Sequence, residues 1–151
     1  MTRLPLYLAL LLSGLNQSAI ASSGSCQRLN DDEVLALFAE WNARIQAADP
    51  AQVAALYQQD ALLLPTVSSQ SRDNRLGHID YFDSFLRKRP SGALTDTYIY
   101  SGCEQATLAG SYVFTFAATG ERIPARFTFN YRYADGQWLI AHHHSSLLPA
   151  D

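Results

Sequence analysis

This sequence has no strongly basic segment. Its 151 residues contain 11 lysines and arginines against 14 acidic residues, and the only basic group of any length is Arg87-Lys88-Arg89. That triplet is predicted to form the last turn of a helix, where cations offset the negative end of the helix dipole. Because a basic patch is the electrostatic footprint of a nucleic-acid-binding protein, nucleic acid is not expected as a partner.

The sequence also lacks the paired ligands of common metal sites. It has no C-x-x-C and no H-x-x-x-H pair, and three of its four histidines are the consecutive His142, His143 and His144. Neighbouring side chains of a strand point to opposite faces, so only two of these histidines can share one metal ion. A catalytic zinc site takes about three protein ligands. We therefore expect neither a metal nor a cofactor.

The N-terminus has the organisation of a secretory signal peptide. Arg3 supplies a positive charge, residues 4–15 form an uncharged apolar run, and residues 19–21 provide an A-x-A cleavage motif. The apolar run is shorter than the roughly 20 residues that span a bilayer, so no membrane anchor is expected after cleavage. These features predict a removed segment over residues 1–21 and a periplasmic or secreted protein.

Two cysteines, Cys26 and Cys103, allow one intramolecular disulfide. An even cysteine count in an exported chain favours a bridge, which would connect an N-terminal arm at residues 22–29 to the start of the sheet. Two unpaired thiols are the alternative, with Cys26 disordered and Cys103 buried. A lipoprotein modified at Cys26 is a further alternative, although the segment before it lacks the leucine expected three residues upstream.

The first half of the remaining chain has the apolar spacing of helices. A capping box at residues 30–33 begins the first helix, and an Asp-Pro pair at residues 49–50 ends it and begins a shorter one. A short buried strand over residues 61–65 and a third helix over residues 76–89 follow. The inward residues of the first helix have the spacing i, i+4, i+7 and i+11: Val34, Phe38, Trp41 and Ile45.

From Thr95 onward the hydrophobic period changes to that of strands. Asp135-Gly136 is typical of a two-residue hairpin, because both central residues of such a turn need a positive φ. Helices followed by antiparallel strands indicate one α+β domain over residues 30–149. Four strands are predicted, over residues 97–103, 106–117, 123–133 and 137–145.

Three segments of the chain resemble a known family in their order and spacing: FAEWNARIQAADPAQVAALYQQDALLLP, HIDYFDSFLRKRPSG and the terminal DGQWLIAHHHSSLLP. Together they resemble the nuclear-transport-factor-2-like superfamily, and within it the bacterial stand-alone relatives of the calcium/calmodulin-dependent protein kinase II association domain. The resemblance implies a cone, in which three N-terminal helices pack on a strongly curved antiparallel sheet around an open-ended cavity. It does not imply kinase activity, because the chain has no kinase domain and no nucleotide-binding loop.

The resemblance and the strand alternation together predict which side chains line the cavity. Phe127, Phe129 and His143 share the face that the resemblance turns inward. His78 matches a pocket histidine of the association-domain family, whereas Phe129 and Ser145 replace the arginines of its cavity. Three tyrosines would add hydroxyl donors, or else be core residues with the hydroxyl at the rim. The predicted cavity residues are Tyr57, His78, Phe82, Tyr98, Tyr112, Phe127, Phe129 and His143.

The opposite face of the sheet is predicted to be an assembly surface. Its residues are Arg126, Trp138, Ile140 and His142, unless a bulge in either strand exchanges the two faces. A monomer rarely leaves such an apolar patch in water, and a twofold dimer or a larger ring would cover it. A histidine in that surface would make assembly sensitive to pH near neutrality.

These features predict an exported domain that binds an unknown small molecule and associates with itself, without kinase activity. An acid–base enzyme, such as an isomerase or cyclase, is the alternative. It would need a carboxylate in the cavity, whereas Asp60 lies at a turn and Asp80 and Asp83 on the solvent side of a helix. A purely structural assembly module, with a cone filled by side chains, is a second alternative. No catalytic residue is assigned, and a binding protein is favoured over an enzyme.

Overall fold

The computed structural model describes residues 26–149, so the predicted signal peptide at residues 1–21 and the start of the predicted arm lie outside the described residues. The elements follow the α+β order that the sequence predicts. No helix of the described part is long and apolar enough to cross a membrane. The elements are α1 (Asp31–Ala47), α2 (Pro50–Ala54), β1 (Tyr57–Leu64), α3 (Arg75–Leu86), β2 (Pro90–Gly102), β3 (Gln105–Phe116), β4 (Glu121–Ala134) and β5 (Gln137–Leu147).

Side-chain caps begin the first two helices where the sequence predicts them. The Asn30 side chain accepts a hydrogen bond from the backbone N–H of Glu33, and the Glu33 carboxylate accepts one from the N–H of Asn30 at 2.8 Å. Asp49 caps α2, and Pro50 occupies its first turn. The amphipathic stripe of α1 is buried as predicted.

The third helix is shorter than predicted. It ends at Leu86, and Arg89 has a left-handed backbone conformation with a φ of 54°. Pro90 cannot continue a helix and begins β2 instead. The prediction that the triplet Arg87-Lys88-Arg89 forms the last helical turn is therefore wrong, because the triplet follows the helix.

The five strands form one sheet in the order β1-β5-β4-β3-β2. Strands β2 to β5 pair antiparallel, and β1 adds to β5 in parallel. Asp135 and Gly136 turn the β4–β5 hairpin with φ values of 52° and 83°, which confirms the predicted turn. The helices cover the inner side of this sheet.

Two single-residue bulges decide which side chains point inward. In β2 the pairing changes from Leu94–Tyr112 to Asp96–Ser111, which leaves Thr95 as an extra residue. In β5 it changes from Ile140–Tyr131 to His142–Asn130, which leaves Ala141 as an extra residue. A bulge shifts the alternation by one, so the residues on its two sides no longer keep a simple odd–even pattern. These shifts account for three errors in the predicted faces, at Tyr98, Trp138 and Ile140.

Gly110 is required where β3 passes the bulge of β2. Its φ is 155°, and a Cβ atom at this position would lie 1.9 Å from the carbonyl oxygen of Asp96. Any other residue would therefore have to push the two strands apart.

A disulfide joins Cys26 to Cys103, with 5.3 Å between the Cα atoms. It ties the arm before α1 to the turn between β2 and β3, as the sequence predicts. Next to it the backbone N–H of Glu104 donates to the carbonyl of Gln27 at 2.7 Å. The arm is thus held by a covalent bond and a hydrogen bond at the same point.

Candidate functional site

The interior of the cone is filled by side chains, and most of them are aromatic. The remaining cavity has a volume of about 10 Å³, which is about the room that one water molecule needs. The structure therefore differs from the expected open-ended cavity, because rings from the helices and the sheet interdigitate. Seven of the eight predicted cavity residues are buried in this interior: Tyr57, His78, Phe82, Tyr112, Phe127, Phe129 and His143.

Tyr98 was expected in the cavity but lies on the outer side of the sheet, where 61% of it is exposed. The bulge at Thr95 is the reason, because it turns Asp96 and Tyr98 outward while Leu94 and Ile99 pack against the core. The prediction for Tyr98 is wrong.

A buried hydrogen-bond relay connects α1, β1 and β5 inside the cone. The indole N–H of Trp41 donates to the Tyr57 hydroxyl at 3.0 Å, and this hydroxyl lies 2.9 Å from Nδ1 of His143. An indole nitrogen can only donate, so the Tyr57 oxygen accepts from Trp41 and gives its own proton to Nδ1. Neutral His143 must then carry its proton on Nε2. The sequence predicts Tyr57 and His143 as neighbours of the cavity but gives no indication of Trp41 as their partner.

The environment of His143 keeps it neutral. Burial, helped by the charges of His142 and His144, lowers the pKa of His143 to about 3. Its ring also stacks on Phe129, with 3.9 Å between the ring centroids. A histidine with so low a pKa is a poor general base near neutral pH. Its Nε2 atom is buried beside the small cavity and has no partner among the described residues.

A second polar group lies two residues further along β5. The Tyr112 hydroxyl donates to Oγ of Ser145 at 2.6 Å, and the Ser145 hydroxyl also contacts that of Thr66. Burial raises the pKa of Tyr112 far above its usual value, so this hydroxyl stays protonated. Both polar groups reach the interior because His143 and Ser145 share the inner face of β5.

His78 has a structural position. Its Nε2–H donates to the carbonyl of Ala61 at 2.8 Å, and its ring lies 5.2 Å from that of Tyr57. Burial lowers the pKa of His78, and the hydrogen bond to Ala61 partly opposes this change. The histidine thus fastens α3 to β1 next to the relay.

The interior of the described part holds no carboxylate. Its buried polar side chains are those of His78, His143 and Ser145. The acids considered for acid–base chemistry, Asp60, Asp80 and Asp83, are all exposed. Within residues 26–149 no three histidine, cysteine or acidic side chains are grouped so that they could hold a metal ion.

The outer face of the sheet is the other candidate site. We use this name for the side of the sheet opposite to the helices, where two rows of side chains cross the strands from β2 to β5. The first row is Tyr98, Ala109, Thr128 and His144, and the second row is Tyr100, Thr107, Asn130 and His142.

A hydrogen-bond chain crosses three strands of this outer face. The Thr107 hydroxyl donates to Oδ1 of Asn130 at 2.8 Å, and the Asn130 amide donates to Nδ1 of His142 at 3.2 Å. His142 therefore accepts at Nδ1 and presents an Nε2–H outward. Burial and, to a lesser degree, the charge of His144 lower the pKa of His142.

The predicted assembly residues are only partly on this face. Arg126 and His142 lie on the outer face, but Ile140 is buried in the core with 2% exposure. Trp138 is also on the inner side, half-buried against the core and next to the Tyr133 ring. The bulge at Ala141 causes both changes, since it places Ile140 opposite the inward Tyr131. The assignments of Trp138 and Ile140 to the outer face are wrong.

The arrangement of three helices on a curved five-stranded sheet matches solved structures of nuclear-transport-factor-2-like proteins. Such a protein from Novosphingobium aromaticivorans, described as having a cystatin-like fold, superposes with a TM-score of 0.66 at 14% identity, covering 80% of this chain and 82% of the other. A protein of the same organism described as a scytalone dehydratase gives a TM-score of 0.66 at 12% identity, covering 77% and 82%. At these identities the likeness concerns the fold alone.

The chain belongs to the calcium/calmodulin-dependent protein kinase II association domain family. The model of this family matches residues 30–149. A solved structure from Xanthomonas campestris, described as such an association domain, is 42% identical, with a TM-score of 0.74 and coverage of 78% of this chain and 86% of the other. No curated protein matches the sequence.

Proposed function

We propose that this protein is an exported association module that pairs with a second copy of itself through the outer face of its sheet. The observation that carries the proposal is the contrast between its two surfaces. The inner side of the sheet is filled against the helices, whereas the outer side carries exposed aromatic side chains. The name of the family and of the relative from Xanthomonas campestris supports the same role.

The outer face has the chemistry of an interface. Tyr98 and Tyr100 on β2 are 61% and 68% exposed, and Leu62 at the opposite edge is 38% exposed. Tyrosine is favoured in interfaces because it contributes apolar area and a polar tip. Between the two edges lie Thr128 and Asn130, which are neutral and able to form hydrogen bonds.

The charges on this side of the sheet also permit self-association. Next to the two rows of the outer face, Asp60 and Asp96 are the acids and Arg126 and Arg132 are the basic residues. Their charges cancel, although the whole chain has a formal net charge of −3. Two copies that meet through this face therefore bring together little net charge, whereas like-charged faces would repel each other.

The disulfide supports an oxidising compartment as the place of this association. Structural disulfides persist in the periplasm and outside the cell and are rare in the reducing cytosol. The bond between Cys26 and Cys103 fits the export that the N-terminal sequence predicts. The proposed role involves no phosphoryl transfer.

Sedimentation velocity tests the proposed pairing. We expect a dimer or a larger assembly for the wild-type protein at pH 7.5 and a monomer for Tyr98→Asp, since the variant places a charge in the proposed interface. Leu76→Asp is the matched control, because Leu76 is 79% exposed on α3, away from the sheet. A monomeric wild type, or equal assembly of Tyr98→Asp and the control, would contradict the proposal.

A second candidate function is the binding of a small molecule inside the cone, and the unpaired Nε2–H of His143 favours it. A buried donor without a partner costs free energy that a ligand oxygen would recover. Phe82, Tyr112 and Ser145 line the same cavity. A ligand larger than water would have to displace Tyr81 and Phe85, which form one side of it. Native mass spectrometry of protein purified from its own compartment should then show a retained mass, and a bare polypeptide mass would contradict this function.

A further inference from the structure

An open cleft lies outside the cone, between α3 and the loop that follows β1. Its volume is about 270 Å³, close to the roughly 300 Å³ at which pockets begin to hold small organic ligands. Asp80, Tyr81, Ser84 and Phe85 line it from one side of α3, and Lys88 lines it from the turn that follows this helix. The loop adds Val67, Ser68 and Arg72.

Arg72 is fixed in this cleft with part of its hydrogen-bonding capacity unused. Its backbone pairs with that of Leu63 in both directions, and its Nη1 donates to the carbonyl of Gln70 at 2.8 Å. Its Nη2 lies 3.7 Å from the carboxylate of Asp80, which is beyond hydrogen-bond distance, and Asp80 is largely exposed. An exposed partner at this separation compensates the guanidinium only weakly. Arg72 therefore presents a preorganised donor to an incoming acceptor.

Lys88, two residues after the end of α3, provides a second cation. Its Nζ lies 5.4 Å from the centre of the Phe116 ring. No carboxylate of the described residues lies within ion-pair distance of it. With Arg72 and Lys88 against Asp80, the cleft has a net positive charge on a chain that is negative overall. Such a local reversal of sign attracts anions.

Two aromatic side chains, Tyr81 and Phe85, line the cleft. The rings of Tyr81 and Phe85 stack with 5.6 Å between centroids and 16° between planes. Burial raises the pKa of Tyr81 far above its usual value, so its hydroxyl remains a donor at any physiological pH. The cleft thus combines two cations with two aromatic rings.

We propose that this cleft binds a small organic carboxylate that carries one planar apolar ring. The carboxylate accepts hydrogen bonds from Arg72 and Lys88, and the ring packs against Tyr81 and Phe85. A guanidinium matches the two oxygens of a carboxylate, and an uncharged ligand of the same shape loses these charge-assisted bonds. The site lies outside the filled cone and apart from the outer face, so it does not depend on self-association.

Titration with benzoate, followed by amide chemical shifts of the full-length purified protein, tests this proposal. Benzoate should shift the amides of Arg72, Ser84 and Lys88, and the neutral analogue benzamide should not. Arg72→Gln and Lys88→Gln should each weaken binding about tenfold, the loss expected for one charge-assisted hydrogen bond. Arg87→Gln is the matched control. It removes one positive charge from the residue next to Lys88, but the Arg87 side chain pairs with Asp83 and does not line the cleft.

Gly77→Ala supplies a variant that keeps every charge. A Cβ atom at this position would lie 3.2 Å from Cδ of Arg72, so the arginine must move by a few tenths of an ångström. Alanine should strengthen α3, and we expect a higher melting temperature together with weaker benzoate binding.

The proposal is overturned if benzoate does not bind, or if Arg87→Gln weakens benzoate binding as much as Arg72→Gln does. It is also overturned if inorganic phosphate binds as tightly as benzoate, or if the shifts centre on His143 and Ser145 inside the cone.

Discussion

Tyr57 and His143, 86 residues apart in the chain, are joined by a buried hydrogen bond of 2.9 Å from the tyrosine hydroxyl to Nδ1 of the imidazole. The same hydroxyl accepts the indole N–H of Trp41. One oxygen atom therefore satisfies a donor on α1 and an acceptor on β5. The bond fixes the tautomer of His143 and connects the helical layer to the last strand.

Removal of this hydroxyl should destabilise the fold. Tyr57→Phe leaves the Trp41 N–H and Nδ1 of His143 buried without a partner, and we expect the free energy of unfolding to fall by about 1–3 kcal/mol. Urea unfolding followed by circular dichroism measures the change. Tyr100→Phe is the matched control, because Tyr100 is 68% exposed. Equal stability of the two variants would show that the relay contributes nothing.

Acidification should destabilise the protein through His143. Burial holds the pKa of the folded-state imidazole at about 3, whereas the unfolded chain has the ordinary value of about 6.5. Below pH 6.5 the unfolded state therefore binds the proton first, and stability falls with pH until about 3. Between pH 7.5 and pH 5 the loss should be about 2 kcal/mol. The lowered pKa of His78 acts in the same direction.

The contribution of His143 can be separated from that of the other groups. His143→Gln keeps a side-chain acceptor for the Tyr57 hydroxyl but does not titrate. Urea unfolding at one protein concentration, at pH 7.5 and at pH 5, should show a smaller loss of stability for the variant than for the wild type. An equal loss in both would mean that His143 is not the group responsible.

Substitution of Gly110 should disrupt the pairing of β2 with β3. Gly110→Ala places a Cβ atom 1.9 Å from the carbonyl oxygen of Asp96 in a conformation with φ of 155°. We expect a loss of about 2 kcal/mol or more in the free energy of unfolding, because the strand must move away. Gly92→Ala is the control on the same strand pair, since a Cβ atom there meets Phe38 at an ordinary 3.5 Å. Tolerance of alanine at both positions would contradict the bulge geometry.

The disulfide should contribute measurably to stability. Cys26 and Cys103 close a segment of 77 residues, and opening such a loop costs about 2–4 kcal/mol. Cys103→Ser should therefore unfold at a lower urea concentration than the wild type under non-reducing conditions. Stoichiometric thiol labelling of denatured, unreduced wild-type protein would show that the bridge does not form.

The sequence is informative where a structure depends on neighbouring residues. The capping box at Asn30 and Glu33, the Asp135-Gly136 turn and the buried stripe of α1 follow from local chemistry, and the structure confirms them. The fold class also follows, from the change of hydrophobic period and from the family resemblance.

The wrong face assignments and the wrong expectation of an open cavity have a different origin. Single-residue bulges at Thr95 and Ala141 leave no mark in composition or periodicity, yet they move Tyr98 outward and Ile140 inward. Whether the cone stays open depends on how large rings such as Phe129 and Phe82 interdigitate, which is a property of the three-dimensional packing. The sequence therefore predicts most of the side chains that lie inside the cone, but not the volume of the cavity between them. The Trp41–Tyr57 contact is likewise a matter of long-range geometry.

The central claim, self-association through the outer face, is tested most directly by intermolecular nuclear Overhauser effects. In a sample that mixes isotope-labelled and unlabelled copies at pH 7.5, filtered spectra report only contacts between copies. The account predicts such contacts from the rings of Tyr98 and Tyr100 and from the methyl groups of Leu62. Contacts from Leu76 and Val67 with none from these outer-face residues, or no intermolecular contact at all, would contradict it.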